Sequence, residues 1–464
     1  MSVDAASGQV GARAVPAGAD RQRTERRGRP TGPAEPALAA AATGGGIRLL
    51  RGLRVDGAPM SLADHLHTHG QLPRSGADLV AVASASGLLG RGGAGFPLGT
   101  KMSAARQAAS RRRPPLVVVN AAESEPASRK DFLLVTRAPH LVLDGAAAAA
   151  AAIGASEAVV WVHRGRPAMA DALAAAIAER AGGNGDPSFR VQAGPDRYVS
   201  GQATAAVAHL AGGPALPSTT AVPMARRGLG GRPTLVSNAE TLAHLALIVR
   251  YGADAFRASG TAAEPGTMLV TVTGAVTSPG VVEAEVGTPI HRLLAAAGGL
   301  TAAGLGAVLV GGYAGSWLAP ERTDLPYSRA GLALAGADPG ACLVVALPSG
   351  ACPVRETAHL TAWLADQSAG QCGPCRNGLP ALAAALALLA DAGPGAGDAP
   401  AALRRWAGMV DGRGACHHPD GVVRLVRSML LTFGADVAAH AAGAGCPPAA
   451  PGIAVPAAVV GPWR

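Results

Sequence analysis

Two stretches of this chain carry residue types suited to holding anions and metals. The first is GLLGRGGAGFPLGTKM, residues 87–102, in which Gly90, Arg91, Gly92, Gly93, Ala94 and Gly95 match the pattern G-x-G-x-x-G. Glycine lets the backbone take positive φ and approach a ligand closely, and successive free N–H groups make a nest for phosphate oxygens. Phe96 adds an aromatic face. Lys101, one of two lysines in the chain with Lys130, adds a compact cation. An ordinary dinucleotide fingerprint opens its helix on the last glycine. Here Phe96, Pro97, Leu98 and Gly99 intervene, so the loop is longer; the plainer reading is a glycine-rich turn in a chain of 63 glycines. Further on, NAAESEPASRKD, residues 120–131, sets Glu123 and Glu125 around a serine after an apolar run. At the carboxyl end of a parallel strand such acids can accept hydrogen bonds from a ribose or a flavin edge; the alternative is a solvated acidic turn.

The second stretch is QSAGQCGPCRNG, residues 367–378, with Cys372 and Cys375 spaced C-x-x-C, followed by Cys416 in GRGACHHPDG. Thiolates so spaced on a loop suit zinc or an iron–sulfur cluster, or form a redox pair. His417 and His418 beside Cys416 read as exposed loop residues or as donors behind the ligands. Cys342 and Cys352 lie in apolar surroundings and read as inert core thiols. Cys446 has no evident partner. Six cysteines in 464 residues do not make a disulfide framework.

These residues need a scaffold, and the pattern supplies an α/β one. Residues 1–45, rich in Ala, Gly, Pro and Arg, read as a disordered tail. Over 46–255 strands and helices alternate: PLVVVNA, EAVVWVH and SFRVQAG as buried strands, PHLVLDGAAAAAAAIGA and RPAMADALAAAIAERAG as helices, a βαβ succession and hence an α/β layer fold. ADLVAVASA before the glycine loop reads as helix or strand. A compact β-rich unit spans 265–340, a helical unit 355–440, and a Pro/Ala tail 441–464. The net charge of +9 comes mostly from arginine. No zinc-finger, homeodomain or aromatic-plus-basic signature accompanies it, so anionic cofactors and acidic partner subunits explain it better than nucleic acid. The N-terminus has no apolar signal segment, and the alanine run is broken by Asp144, so the expectation is a cytoplasmic protein without a membrane span, docked at most through partners.

Taken in order, GLLGRGGAGFPLGTKM, NAAESEPASRKDFLL, RAPHLVLDG, YVSGQATA, GLGGRPTLVSNAETLA and CGPCRNG resemble the flavin-carrying, NADH-oxidising subunit of NADH:quinone oxidoreductase. The family includes the flavin subunit of respiratory complex I and related subunits of hydrogenases and formate dehydrogenases. The resemblance, from about 85 to 435, implies a Rossmann-like FMN domain, a small β-grasp-like unit and a helical bundle with a [4Fe-4S] cluster. It places Gly90, Arg91, Gly92, Gly93, Gly95 and Phe96 on the nucleotide loop, with Phe96 stacking on the nicotinamide nucleotide. It places Lys101, Asn120, Glu123, Tyr198, Gly201, Asn238 and Thr241 at FMN and Glu125 at NADH, and it gives the cluster Cys372, Cys375 and Cys416. Glu125 is also the candidate catalytic group. The chain departs from the family at Ala122, Gln202, Ala203, Ala104, Thr220, Pro223 and Phe132, mostly on the NADH side, and at Ala369, where a cysteine ligand is expected. Three ligands leave open a [4Fe-4S] cube completed by Asp366, Ser368, His417 or His418, a [3Fe-4S] cluster, or none. The resemblance implies hydride transfer from NADH to FMN and single electrons passed to a partner iron–sulfur subunit. The alternatives are a non-catalytic scaffold subunit and a flavoprotein fed by a reduced protein.

Overall fold

The computed structural model describes residues 39–42, 49–73, 78–181, 185–219, 221–446, 452–457 and 463. The strands are β1 (Ala39–Ala42), β2 (Leu116–Asn120), β3 (Glu157–His163), β4 (Ser188–Gly194), β5 (Thr234–Asn238), β6 (Thr267–Gly274), β7 (Gly280–Glu285), β8 (Ala307–Val310), β9 (Ser316–Leu318) and β10 (Leu343–Leu347). Strands β2 to β5 form a parallel sheet in the order β4-β3-β2-β5. Leu116–Val119 and Ala158–His163 are buried without alternation, as strands covered on both faces require. Strand β5, which composition alone does not mark, pairs with β2 on the side opposite β3. The sheet therefore winds in one direction from β2 to β4 and in the other to β5. The crevice between β2 and β5 is the switch point at which such sheets bind ligands.

ADLVAVASA resolves as the helix Leu79–Ser86, capped by the Asp78 carboxylate on the Val80 amide. The alanine-rich helix Pro139–Ile153 starts on a proline and stops at Gly154, at φ 75°. Its lack of bulk lets it press against the helix Ala239–Tyr251: a Cβ on Gly145 would stand 1.8 Å from the Leu242 carbonyl oxygen.

The second sheet is mixed, in the order β1-β7-β6-β10-β8-β9, with the helix Ile290–Ala296 packed on it. It extends past the expected limit of 340, because β10 pairs in parallel with β6. Ala39–Ala42, expected in the tail, pair in parallel with β7 instead. The rest of the expected N-terminal tail, apart from 39–42, and parts of the C-terminal one lie outside the described residues. The helices Pro353–Asp366, Leu379–Asp391, Ala399–Val410, His418–Thr432 and Gly434–Ala441 follow. Leu360, Leu382, Leu386 and Leu425 share a core with Leu309, Trp317 and Val345 of the second sheet. Among the described residues, no helix is long and apolar enough to cross a membrane.

Overpacking at Gly145 fixes a first expectation. Gly145→Ala must push the two helices apart and should cost at least about 2 kcal/mol. A chemical-denaturation curve superimposable on that of the unsubstituted protein would refute the close approach.

Candidate functional site

Asn120 and Asn238 end β2 and β5 in register, side by side at the switch point. Their amides are first of all structural. The Asn238 Oδ1 accepts from the Glu240 amide at 3.1 Å, capping the next helix, and its Nδ2 donates to Asp131 at 2.7 Å. The Asn120 Nδ2 donates to the Gly201 carbonyl at 2.8 Å. Above them opens a cavity of 770 Å³, within the range of small-molecule sites.

The glycine loop forms one wall. Its base is pinched by two backbone hydrogen bonds, Gly90 to Phe96 and Leu98 to Leu88. The Arg91 amide donates to the Thr241 hydroxyl at 2.8 Å, tying the loop to a helix start. Gly93 and Gly95 take φ 101° and 61°, open to glycine and strained for other residues. Among the described residues no acceptor stands against the amides of Gly92, Gly93, Ala94 and Gly95. Lys101 also lines the cavity, its Nζ 5.8 Å from the Phe96 ring centre. Among the described residues no carboxylate faces that ammonium, and burial alone lowers its pKa. Free amides beside an unmatched cation fit the phosphate of a flavin mononucleotide.

Arg91 and Glu123 line a smaller side pocket instead. The Arg91 guanidinium is buried and donates to the Pro265 carbonyl at 3.2 Å. Glu123 accepts from the Ser128 hydroxyl and from the amides of Asp131 and Phe132, holding the start of the helix Lys130–Arg137. Both residues, expected at nucleotide and flavin, spend these groups on shaping the turns around the cavity. Glu125 does line the main cavity. Its carboxylate accepts from the Tyr313 amide at 3.0 Å and the Tyr198 hydroxyl at 3.1 Å, and burial pushes its pKa up to about 7.

The cavity continues to the cysteine region. Cys416, His417 and His418 line its far end, and the Tyr198 ring stands 5.5 Å from those of His418 and Trp363. The Cys372 and Cys375 thiols hydrogen-bond to each other, and Cys372 also accepts the Ala415 amide, which brings Cys416 into its electrostatic reach. Three convergent thiols served by backbone amides fit an iron–sulfur cluster. No cysteine occupies Ala369. His418 is buried; its Nε2 hydrogen goes to the Leu364 carbonyl at 2.8 Å, and its Nδ1 lone pair has no partner among the described residues. His417 is exposed and pairs with Asp420 at 3.2 Å. Cys352 and Cys446, read as a core thiol and a partnerless one, both meet His440 at 3.3 Å.

Sequence reasoning missed the groups that close the cavity from the second sheet. Arg329 donates to the Gly93 carbonyl and pairs with Asp338 at 2.5 Å; the turn Gly311–Gly312 lies against Glu125. No local spacing links these residues to the loop more than 200 positions earlier.

A parallel-sheet domain with a phosphate-ready loop, followed by a helical domain with convergent thiols, defines a flavin and iron–sulfur electron-transfer protein. Residues 83–247 match the Nuo51 FMN-binding domain, 269–310 an SLBB domain, and 355–440 the NADH-ubiquinone oxidoreductase-F iron-sulfur binding region. The chain is 35% identical over 383 residues to the F subunit of NADH-quinone oxidoreductase from Mycobacterium bovis, covering 80% of this chain and 86% of that one. It is 31% identical over 370 residues to the corresponding Escherichia coli protein, with 77% and 82% covered. A solved NAD+-reducing [NiFe]-hydrogenase in the H2-reduced state superposes with a TM-score of 0.76 at 28% identity, over 87% of this chain and 68% of that chain. The chain belongs to the family of NADH-quinone oxidoreductase F subunits and is a flavin subunit of the NADH-dehydrogenase type, with FMN and an iron–sulfur cluster as its cofactors.

The raised Glu125 pKa has a consequence for stability. Between the usual 4.5 and about 7 the folded protein holds a proton that the unfolded chain has lost. This contribution is complete below pH 4.5 and is lost as pH rises through 7, on the order of 3 kcal/mol in all. Asp131, pushed up to about 6 mainly by burial, adds a fall of the same sign. Glu125→Gln should flatten the decline between pH 5 and 8 while leaving the Asp131 share. Equal slopes in both proteins, from denaturation series across that range, would remove the assignment.

Proposed function

We propose that this chain takes hydride from NADH at FMN and delivers single electrons, through its own cluster, to an iron–sulfur partner subunit, working as a peripheral cytoplasmic component of a larger complex. The observation that carries it is the single cavity with the unmatched Lys101 and free loop amides at one end and Cys416 and His418 at the other. FMN supplies the ring that accepts a two-electron hydride and releases electrons one at a time.

The protein supplies position and charge. Gly92, Gly93, Ala94 and Gly95 offer amides to phosphate, and Lys101 offers its ammonium. Gly90, Gly201 and Thr241 shape the walls, while Asn120 and Asn238 set the rim beneath the ring. Phe96, 47% exposed at the loop tip, offers its face to an incoming nicotinamide. Glu125, poised near neutrality, can hold or release a proton beside Tyr198. Cys372, Cys375 and Cys416 would hold the cluster.

One observation favours the second reading, a flavoprotein fed by a reduced protein. Gln202 and Ala203 replace acids at the cavity wall, and the Gln202 Oε1 is occupied by the amides of Thr204 and Ala205, at 2.7 and 3.1 Å. It holds the helix Ala203–Leu210 in place of a nucleotide.

Lys101→Ala should weaken FMN binding about 10- to 100-fold, as expected for a lost hydrogen bond to a charged group, and leave riboflavin affinity nearly unchanged. Equal losses for both, by fluorescence quenching titration, would place the lysine away from the phosphate. In an anaerobic titration of the FMN-loaded chain, NADH should bleach the flavin absorbance. Yellow protein untouched by NADH but bleached by a reduced iron–sulfur protein would shift the donor to the second reading, and protein that takes up no FMN would leave a scaffold subunit.

A further inference from the structure

Cys352, His440 and Cys446 form a second cluster of soft ligands, separate from the cysteines of the iron–sulfur region. Their Sγ, Nε2 and Sγ atoms all lie within 4.8 Å of one another, and each sulfur is 3.3 Å from the nitrogen. A tetrahedral ion with sulfur at about 2.3 Å and imidazole nitrogen at about 2.0–2.1 Å needs an S···N edge of about 3.5 Å and an S···S edge of about 3.8 Å. Both S···N distances are already within a few tenths of an ångström of that edge.

The imidazole is set for the task. His440 is buried, and its Nδ1 faces the Leu389 carbonyl at 3.0 Å. A carbonyl only accepts, so Nδ1 carries the hydrogen and the Nε2 lone pair points at the two thiols. A carbonyl behind the far nitrogen is the usual support of a metal-bound histidine. The other two ligands are also fixed by their backbones. Cys352 occupies the position just before the helix Pro353–Asp366. The Cys446 carbonyl accepts from Arg355 in that helix's first turn at 3.2 Å.

We propose that Cys352, His440 and Cys446 bind one zinc ion, with the fourth position open to water. Two thiolates and an imidazole suit zinc by softness and geometry. Binding releases the two thiol protons to solvent and changes no oxidation state. The ion clamps the chain after the last helix onto the start of the helix Pro353–Asp366. Beyond the clamp, the amides of Gly452 and Ile453 bond to Glu356, and the Ala454 carbonyl accepts from the Tyr313 hydroxyl. Tyr313 is the residue whose amide holds Glu125. The metal thus fixes Cys446 a few positions ahead of the residues that meet Glu356 and Tyr313.

The test is metal analysis of the full chain produced in zinc-supplemented medium. The expected result is about one zinc per chain, retained in Cys372→Ser, lost in Cys446→Ser and His440→Asn, and accompanied by a zinc-dependent rise in melting temperature absent from Cys446→Ser. Cys446 lies outside every helix and strand, so its serine variant keeps the fold testable. Cobalt(II) in place of zinc should give thiolate charge-transfer absorption that disappears in the same two variants. Zinc content unchanged in Cys446→Ser, no uptake of added Zn2+, or a Cys352–Cys446 disulfide found by alkylation and mass measurement in freshly prepared protein would each overturn the proposal.

Discussion

The site stands on a buried ion-pair network at the carboxyl end of the first sheet. The Lys130 ammonium contacts Glu240 at 2.8 Å and Asp131 at 3.1 Å, all three side chains being almost wholly buried. Removing one partner from such a group strands charge in the interior and costs about 3–5 kcal/mol. Each carboxylate has a further task. Glu240 accepts from the Leu269 amide in β6 at 2.8 Å, joining the helix that follows β5 to the second sheet, and Asp131 accepts from Asn238. Asn238 and Thr241 then set the rim and the glycine loop. Of the chain's two lysines, one is consumed by architecture and the other, at the cavity, meets no carboxylate among the described residues.

That division explains how a loop of glycines can be a precise binding element. Glycine gives the loop its conformations and also its freedom to lose them. The freedom is removed by attachments from outside: Thr241 on the Arg91 amide, the Pro265 carbonyl on the Arg91 guanidinium, and Arg329 on the Gly93 carbonyl. These tie down the ends and flank of the loop and leave the central amides without partners among the described residues. A nest held in this way meets its anion with little ordering cost.

The helical domain and the second sheet act as one body toward the cavity. Trp317 of β9 donates from its indole to Thr357 at 2.9 Å, and its ring meets Phe433. At the cysteine end of the cavity the Tyr198 ring meets Trp363 edge to face and stands tilted against His418.

Much of this was legible in the residues themselves. The valine runs of β2 and β3 announce strands buried on both faces, and the glycines, Lys101 and the C-x-x-C spacing announce an anion loop and a thiolate site. Short β5 and β10 were less legible, because five residues, mixed in β5 and all apolar in β10, are too few to show a period that separates strand from loop. The partners of Lys130, the closing of the loop by Arg329, the support of Glu125 by Tyr313, and the meeting of Cys352, His440 and Cys446 were decided only by the tertiary structure. Each joins side chains tens to hundreds of positions apart. Sequence periodicity records whether a residue is buried; which distant residue it is buried against depends on how the sheets and helices stack.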